Sequence, residues 1–263
     1  MTTLTVVLTH LDAPTVDEQA SLLQAVAPDV RVAICHGGPR AAFDEVSHGE
    51  KAWMDDPTLR TPTRSFQSYH LTFRTIWEEW VRQDPAVHAV YVIEYDHLPL
   101  RGDFADVLGA VALSTGAGIL GKDAFRRNGT NWAHYCRFRR DGALLAQLRR
   151  HSMRDEPDAM YGILGNGMWL SRATLADYVA IDEHPSCYGE LYVPTLLHHL
   201  GHKVVDVDVH TDLYAHVRWD PPFTRSEVLE LAAGGASCVH PVKDMDAWRA
   251  AAGLIDGGRE HLA

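Results

Sequence analysis

The stretch Val90-Tyr-Val-Ile-Glu-Tyr-Asp96 is a short apolar run that ends in two carboxylates one residue apart and passes into His97-Leu-Pro-Leu100. An apolar run of this length reads as a buried strand. One that finishes in Glu-x-Asp delivers paired oxygen donors to the carboxyl edge of a sheet, which is where open α/β sheets bind their ligands. Oxygens of this kind suit Mg²⁺ or Mn²⁺ bridging a diphosphate. Taken alone, the same two acids also describe an ordinary solvated turn.

Upstream, residues 4–8 read as an opening strand. Thr15 with Glu18 three residues on fits a capping box, and the helix it opens carries Ala20, Leu22, Leu23 and Val26 on one stripe. A second strand over 30–34 ends at Cys35-His-Gly-Gly-Pro39. Strand, helix and strand joined by short links are the signature of a parallel sheet. Residues 40–63 are polar and contain proline, which predicts loop with a short helix. From Ser65 onward Phe66, Tyr69, Phe73, Ile76, Trp77 and Trp80 fall on one helical stripe, read as core.

Downstream, a helix is expected over 103–112, a short strand over 118–120 and a helical piece over 144–148 within a basic and polar middle segment. Tyr161-Gly-Ile-Leu-Gly-Asn-Gly-Met-Trp-Leu-Ser-Arg172 reads as a glycine turn, a short strand and a helix capped by Ser171, with Asn166 in left-handed geometry between two glycines. A helix over 190–200 and a strand over 203–209 follow. The tail from Thr224 holds one helix, a Gly-Gly break, Cys238-Val-His-Pro-Val-Lys243 and a last short helix near Trp248. There is no internal repeat and no low-complexity linker, so one domain over 1–263 is expected.

The chain has 263 residues, and its 24 basic against 35 acidic residues leave a net charge of −11, which argues against duplex nucleic acid as a partner. No stretch approaches the roughly 18 apolar residues of a membrane span. The N-terminus lacks a basic segment and cleavage site, so a cytoplasmic protein is the expectation. Cys35, Cys136, Cys187 and Cys238 form no Cys-x-x-Cys pair, so neither a zinc ribbon nor a disulfide framework is indicated.

Taken in order, these pieces resemble a glycosyltransferase of the GT-A fold. Glu94-Tyr95-Asp96 stands where that family has its Asp-x-Asp motif, with Glu in place of the first Asp. Gly165-Asn-Gly-Met-Trp-Leu-Ser-Arg172 is similar to the strand and helix start before the family's acceptor region. Tyr188-Gly189-Glu190 resembles the acidic helix start where inverting members carry their catalytic base. His240-Pro-Val-Lys243 looks like the C-terminal histidine that completes metal coordination, with a lysine near the diphosphate.

The resemblance implies an α/β fold, with a Rossmann-type mixed central sheet flanked by helices. A nucleotide-binding half would span 1–120 and an acceptor-binding half 121–263. It further implies transfer of a sugar from a nucleotide-diphosphate donor to an unidentified hydroxyl, helped by Mn²⁺ or Mg²⁺. Asp96, Glu94 and His240 would be the metal ligands and Glu190 the catalytic base. Donor contacts would come from Thr9, His36, Arg64, Glu94, Tyr95, Asp96, Asn166 and Lys243. Uridine and guanosine donors are the first to consider. His210 and His216 are substitutes for His240, and His198 and His199 stay outside the site because neighbours on a helix do not share a face. Each residue also has a plainer reading: Glu190 as a helix-dipole cap, His240 as a turn histidine, Lys243 as a solvated charge. Two other functions compete. A sugar nucleotidyltransferase would need a glycine-rich basic loop, which Thr9-His-Leu-Asp-Ala-Pro14 is not. A non-catalytic nucleotide- or sugar-binding relative is kept alive by Glu94 replacing Asp.

Overall fold

The computed structural model describes residues 2–56 and 69–260, with side chains through 253. Arg64 and Phe66 lie outside the described residues. A seven-stranded sheet runs in the order β3-β2-β1-β4-β7-β6-β8. Its strands are β1 (Thr2–Thr9), β2 (Arg31–His36), β3 (Lys51–Trp53), β4 (Val87–Glu94), β6 (Ile119–Arg126), β7 (Tyr161–Ser171) and β8 (Val204–Asp206). The strands β3, β2, β1 and β4 are mutually parallel. β7 runs antiparallel to both β4 and β6, and β8 is parallel to β6. The sheet is therefore mixed and flanked by helices, as the resemblance implies.

The decisive strand is buried on both faces, and its alternation sorts the core. Val90 and Val92 join a cluster with Phe73, Ile76, Leu175, Leu191 and Leu196, contributed by α3 (Tyr69–Ile76), α7 (Arg172–Val179) and α8 (Gly189–His199). Tyr91 and Ile93 join the opposite cluster with Val16, Ala20, Leu23, Phe104 and Leu108, from α1 (Ala13–Val26) and α4 (Phe104–Thr115). A strand with helices on both sides has no polar face to offer, which is why it reads as one apolar run. A third cluster gathers Leu98, Val228, Val239, Trp248 and Ala251 around α9 (Arg225–Ala233) and α10 (Met245–Glu260). A two-stranded ribbon of β5 (Leu98–Pro99) and β9 (Cys238–Val239) ties this last unit to the end of β4.

Several local expectations change. The cap of α1 is Asp12, not Thr15: its carboxylate accepts the Thr15 amide at 3.0 Å, and proline fills the first turn. The second strand continues past Ile34 to His36. The short helix expected within the loop of 40–63 is α2 (Arg40–Glu45), and the strand β3 is added to it. In the basic middle segment the helical piece expected over 144–148 is α6 (Gly142–His151), and α5 (Ala133–Phe138) precedes it unexpected. The expected strand over 203–209 turns into a 3-10 turn at Val207. The glycine turn of 161–165 is absent: β7 is one eleven-residue strand, and Asn166 sits within it rather than in left-handed geometry. The glycines are there for room. A side chain at Gly165 would strike the Tyr69 hydroxyl at 2.6 Å and Glu190 Oε1 at 3.0 Å. Ser171 does cap α7, accepting from the Thr174 amide. Among the described residues no helix is long and apolar enough to cross a membrane.

Candidate functional site

At the carboxyl end of β4 the chain turns sharply, with the His97 amide donating to the Glu94 carbonyl at 3.0 Å. Asp96 ends this turn just before β5, and His240 follows β9. Pairing of Leu98 with Val239 and Pro99 with Cys238 therefore brings two residues remote in sequence side by side. The backbone secures them further. The Val242 amide donates to the Asp96 carbonyl at 2.7 Å, and His240 bridges the segment around Val217 through its amide to the His216 carbonyl and its carbonyl from the Arg218 amide.

The result is a cluster of Glu94, Asp96 and His240 whose donor atoms all lie within 4.8 Å of one another. His240 Nε2 stands 3.1 Å from Asp96 Oδ1 and 3.7 Å from Glu94 Oε2. Asp96 and His240 are buried, yet Oδ1 and Nε2 have no hydrogen-bond partner; they face one another without the alignment a hydrogen bond needs. The other ring nitrogen is occupied: Nδ1 lies 3.0 Å from the Arg218 carbonyl oxygen and 2.6 Å from the Asn166 amide. An Nδ1–H donated to that carbonyl, with the Asn166 side chain turned so that its oxygen rather than its NH2 faces the ring, is the tautomer that would free Nε2 for a metal ion. Two carboxylates and one imidazole, with the buried Asp96 Oδ1 and His240 Nε2 meeting only other members of the cluster, fit a divalent cation. Without a cation, burial would lower the His240 pKa, but Asp96 and Glu94 outweigh it and raise the value to about 9, so the ring is charged at neutral pH and a divalent cation at Nε2 would displace that proton.

The cluster lines a cavity of about 560 Å³ together with Thr9, His10, Gly37, Met54, Tyr69, Tyr95, Asn166, Tyr188, Glu190, Trp219 and Lys243. The sheet order divides its walls. Thr9 and Gly37, at the ends of β1 and β2, lie on one side of β4, and β7 with α8 lies on the other. Gln19 of α1 donates to the Tyr95 carbonyl at 2.8 Å, and the Tyr95 ring meets His10 edge-on with centroids 4.9 Å apart. Glu190 opens α8 but does more than face its dipole: Oε1 accepts the Gly165 amide at 2.6 Å, and the Tyr188 hydroxyl bonds the same carboxylate. Burial raises the Glu190 pKa above the usual carboxylate range despite these two bonds, and Glu94 nearby adds to the rise.

Of the residues expected in the site, Thr9, Glu94, Tyr95, Asp96, Asn166, Glu190, His240 and Lys243 border one cavity. His36 does not. It is fully buried, with Nε2 2.9 Å from the Leu11 carbonyl oxygen and Nδ1 accepting the Gly38 amide, so it shapes the loops behind the wall. His216 supplies a carbonyl to His240 rather than replacing it. His10, Tyr69 and Trp219 escaped the sequence reading. Tyr69 sat on the aromatic stripe taken as core, but its hydroxyl reaches the Gly165 carbonyl at 3.3 Å. A tyrosine among phenylalanine, isoleucine and tryptophan was the available signal, since a buried hydroxyl needs a partner.

No family model matches the chain, and no curated protein sequence matches it. Solved structures do. One is a mannosyltransferase from Pyrobaculum calidifontis in complex with GDP-Man and Mn²⁺: 13% identity, 73% of this chain aligned with 50% of that one, TM-score 0.40. A second is the galactosyltransferase LgtC in complex with donor and acceptor sugar analogues: 10% identity, 73% and 69% coverage, TM-score 0.32. A third is glucosyl-3-phosphoglycerate synthase from Mycobacterium tuberculosis in complex with phosphoglyceric acid: 13% identity, 66% and 57% coverage, TM-score 0.35. The chain thus spans between half and about two thirds of the solved structures named here.

Proposed function

We propose that this chain is a glycosyltransferase that takes a sugar from a nucleoside-diphosphate donor with the help of Mn²⁺ or Mg²⁺. The observation that carries the reading is the convergence of Glu94, Asp96 and His240 in the wall of a cavity, with the buried Asp96 Oδ1 and His240 Nε2 meeting only members of the cluster. A bound divalent cation would offset the negative charge that develops on a departing diphosphate. Asp96 and His240 are the direct ligands, and the more exposed Glu94 completes the set. Lys243, exposed at the rim, adds a point charge for phosphate. Thr9 and Tyr95 border the nucleoside side, Asn166 positions His240, and Arg64 and His36 remain donor-side residues in this proposal, His36 acting through the backbone it holds.

Glu190 is the group that takes the proton from the acceptor hydroxyl in an inverting reaction. Its burial-raised pKa makes it a stronger base than a solvated carboxylate. UDP is the first donor base to test, and the cytoplasm is the proposed location. The test is a melting-temperature screen of UDP and GDP with and without Mn²⁺. A nucleotide at about a hundredfold its dissociation constant adds about 2.7 kcal/mol to the native state, enough to move the transition clearly. A shift that requires both nucleotide and metal supports the proposal, and no shift with any nucleoside diphosphate refutes it. Release of nucleoside diphosphate from a sugar nucleotide then separates an enzyme from a binding-only relative.

A further inference from the structure

The cavity holds one large apolar surface that the donor chemistry does not use. Trp219 borders it while remaining 75% exposed, in contrast to the buried aromatic residues of the core. Its position is set by the metal ligand itself. The Arg218 amide donates to the His240 carbonyl, and the Arg218 carbonyl oxygen lies 3.0 Å from His240 Nδ1, so Trp219 follows directly on a residue held to His240 at both ends. Trp219 thus borders the cavity next to the segment that holds His240 against Glu94, Asp96 and Asn166. Glu190 borders the same cavity.

We propose that Trp219 forms the platform of an acceptor subsite for a neutral pyranose ring. The assignment rests on the glycosyltransferase reading of the same cavity. One face of a pyranose is a patch of C–H bonds, and an exposed indole is the side chain best shaped to cover it. Beside the ring, the exposed Asp220 borders the same cavity and accepts from sugar hydroxyls. Charge selects against the alternatives. Glu94, Asp96, Glu190 and Asp220 border the cavity with Lys243 as the one lysine or arginine among its described lining residues. A phosphorylated or carboxylated acceptor would meet four carboxylates against a single lysine among those described lining residues. A neutral ring stacked on Trp219 carries no such penalty, and it lies in the cavity that Glu190 also borders.

The experiment is saturation-transfer NMR on the full chain with Mg²⁺ and whichever of UDP or GDP binds. The methyl α- and β-pyranosides of glucose, galactose and mannose are compared with mannitol and 3-phosphoglycerate, and calorimetry follows the nucleotide in parallel. At least one pyranoside should be saturated through its ring protons. Trp219→Ala should weaken it about tenfold, and Trp219→Phe should restore most of the signal. Nucleotide affinity should be unchanged in both variants, which also reports that the site is folded. Preferential binding of mannitol or 3-phosphoglycerate, or a pyranoside signal indifferent to Trp219→Ala, overturns the subsite while leaving the donor reading in place. Joint loss of nucleotide and pyranoside in Trp219→Ala overturns it too, because the indole would then serve the donor. Wild-type protein that binds no nucleoside diphosphate removes the donor reading, and the acceptor assignment goes with it.

Discussion

Gly165→Ala puts the assignment of Glu190 under direct strain. A methyl group at 165 would stand 2.6 Å from the Tyr69 hydroxyl, 3.0 Å from Glu190 Oε1 and 3.1 Å from Glu190 Cγ. Carbon and oxygen settle at about 3.4 Å, so Tyr69 must yield about 0.8 Å and Glu190 about 0.4 Å. The Gly165 amide bond that aims Oε1 is only 2.6 Å long and stretches with that movement. Overpacking of this kind costs about 1–3 kcal/mol, offset in part by about 0.5–1 kcal/mol from replacing a strand glycine. The fold should survive with a transition a few degrees lower. Misplacement of a reacting group by about 1 Å costs on the order of 10²-fold in rate, so a shift of about 0.4 Å at Glu190 should cost roughly 5–10-fold. Release of nucleoside diphosphate from the donor, measured with an acceptor panel, should fall by about that factor while Mn²⁺-dependent nucleotide affinity holds. Glu190→Gln, which keeps the shape and removes the base, should cost about 10²–10⁴-fold with the same retention of nucleotide. Wild-type turnover in folded Gly165→Ala would show that the position of Glu190 is immaterial to the reaction. Parallel loss of turnover and nucleotide affinity would make Glu190 a structural residue.

Asp96→Asn should abolish the metal-dependent part of nucleotide binding and leave the far-ultraviolet spectrum unchanged; calorimetry showing full affinity would remove Asp96 from the ligand set. Stability should decline in mild acid. Burial, with His70 nearby, lowers the His184 pKa to about 4, and burial, with His199 beside it, does the same to His198. Each is neutral in the folded protein and gains a proton on unfolding, so its contribution is complete above pH 6.5 and disappears as the pH falls toward 4. A melting temperature constant from pH 7 to 4.5 would contradict this, and His184→Asn should flatten the curve. Thr224→Ala removes a capping box in which Thr224 and Glu227 satisfy one another's ends. The expected loss is about 1 kcal/mol, read as a shift of roughly 2–4 °C, and an unchanged transition would place α9 outside the cooperative unit.

Much of the chain could be read without coordinates because its signals are local. The apolar run into Glu94, the apolar stretch 4–8 of β1 and the Ser171 cap each depend on residues within a few positions of one another. The errors share one origin, which is that glycine and proline carry different meanings in different surroundings. In β7 the glycines suggested a turn. They belong to a strand, where Gly165 leaves space for Tyr69 and Glu190, arriving from two helices. At the start of α1 the choice between Asp12 and Thr15 turned on which backbone amides were unpaired, and composition alone does not reveal that. Trp219 lies between Arg218 and Asp220-Pro-Pro222, a stretch with no periodicity, so nothing local distinguished an exposed cavity residue from a core one.

The sequence by itself determined the alternating α/β order, the acidic end of the central strand and the residue types that meet at the site. Periodicity and capping are short-range properties, and they are written wherever an element begins, repeats and stops. Only the tertiary structure decided that Asp96 faces His240, that Glu190 is aimed by Gly165 and that His36 turns away from the cavity. Those relations depend on which strands pair, above all β5 with β9, and pairing across so long a stretch of chain is chosen by burial of the whole core rather than by any nearby residue.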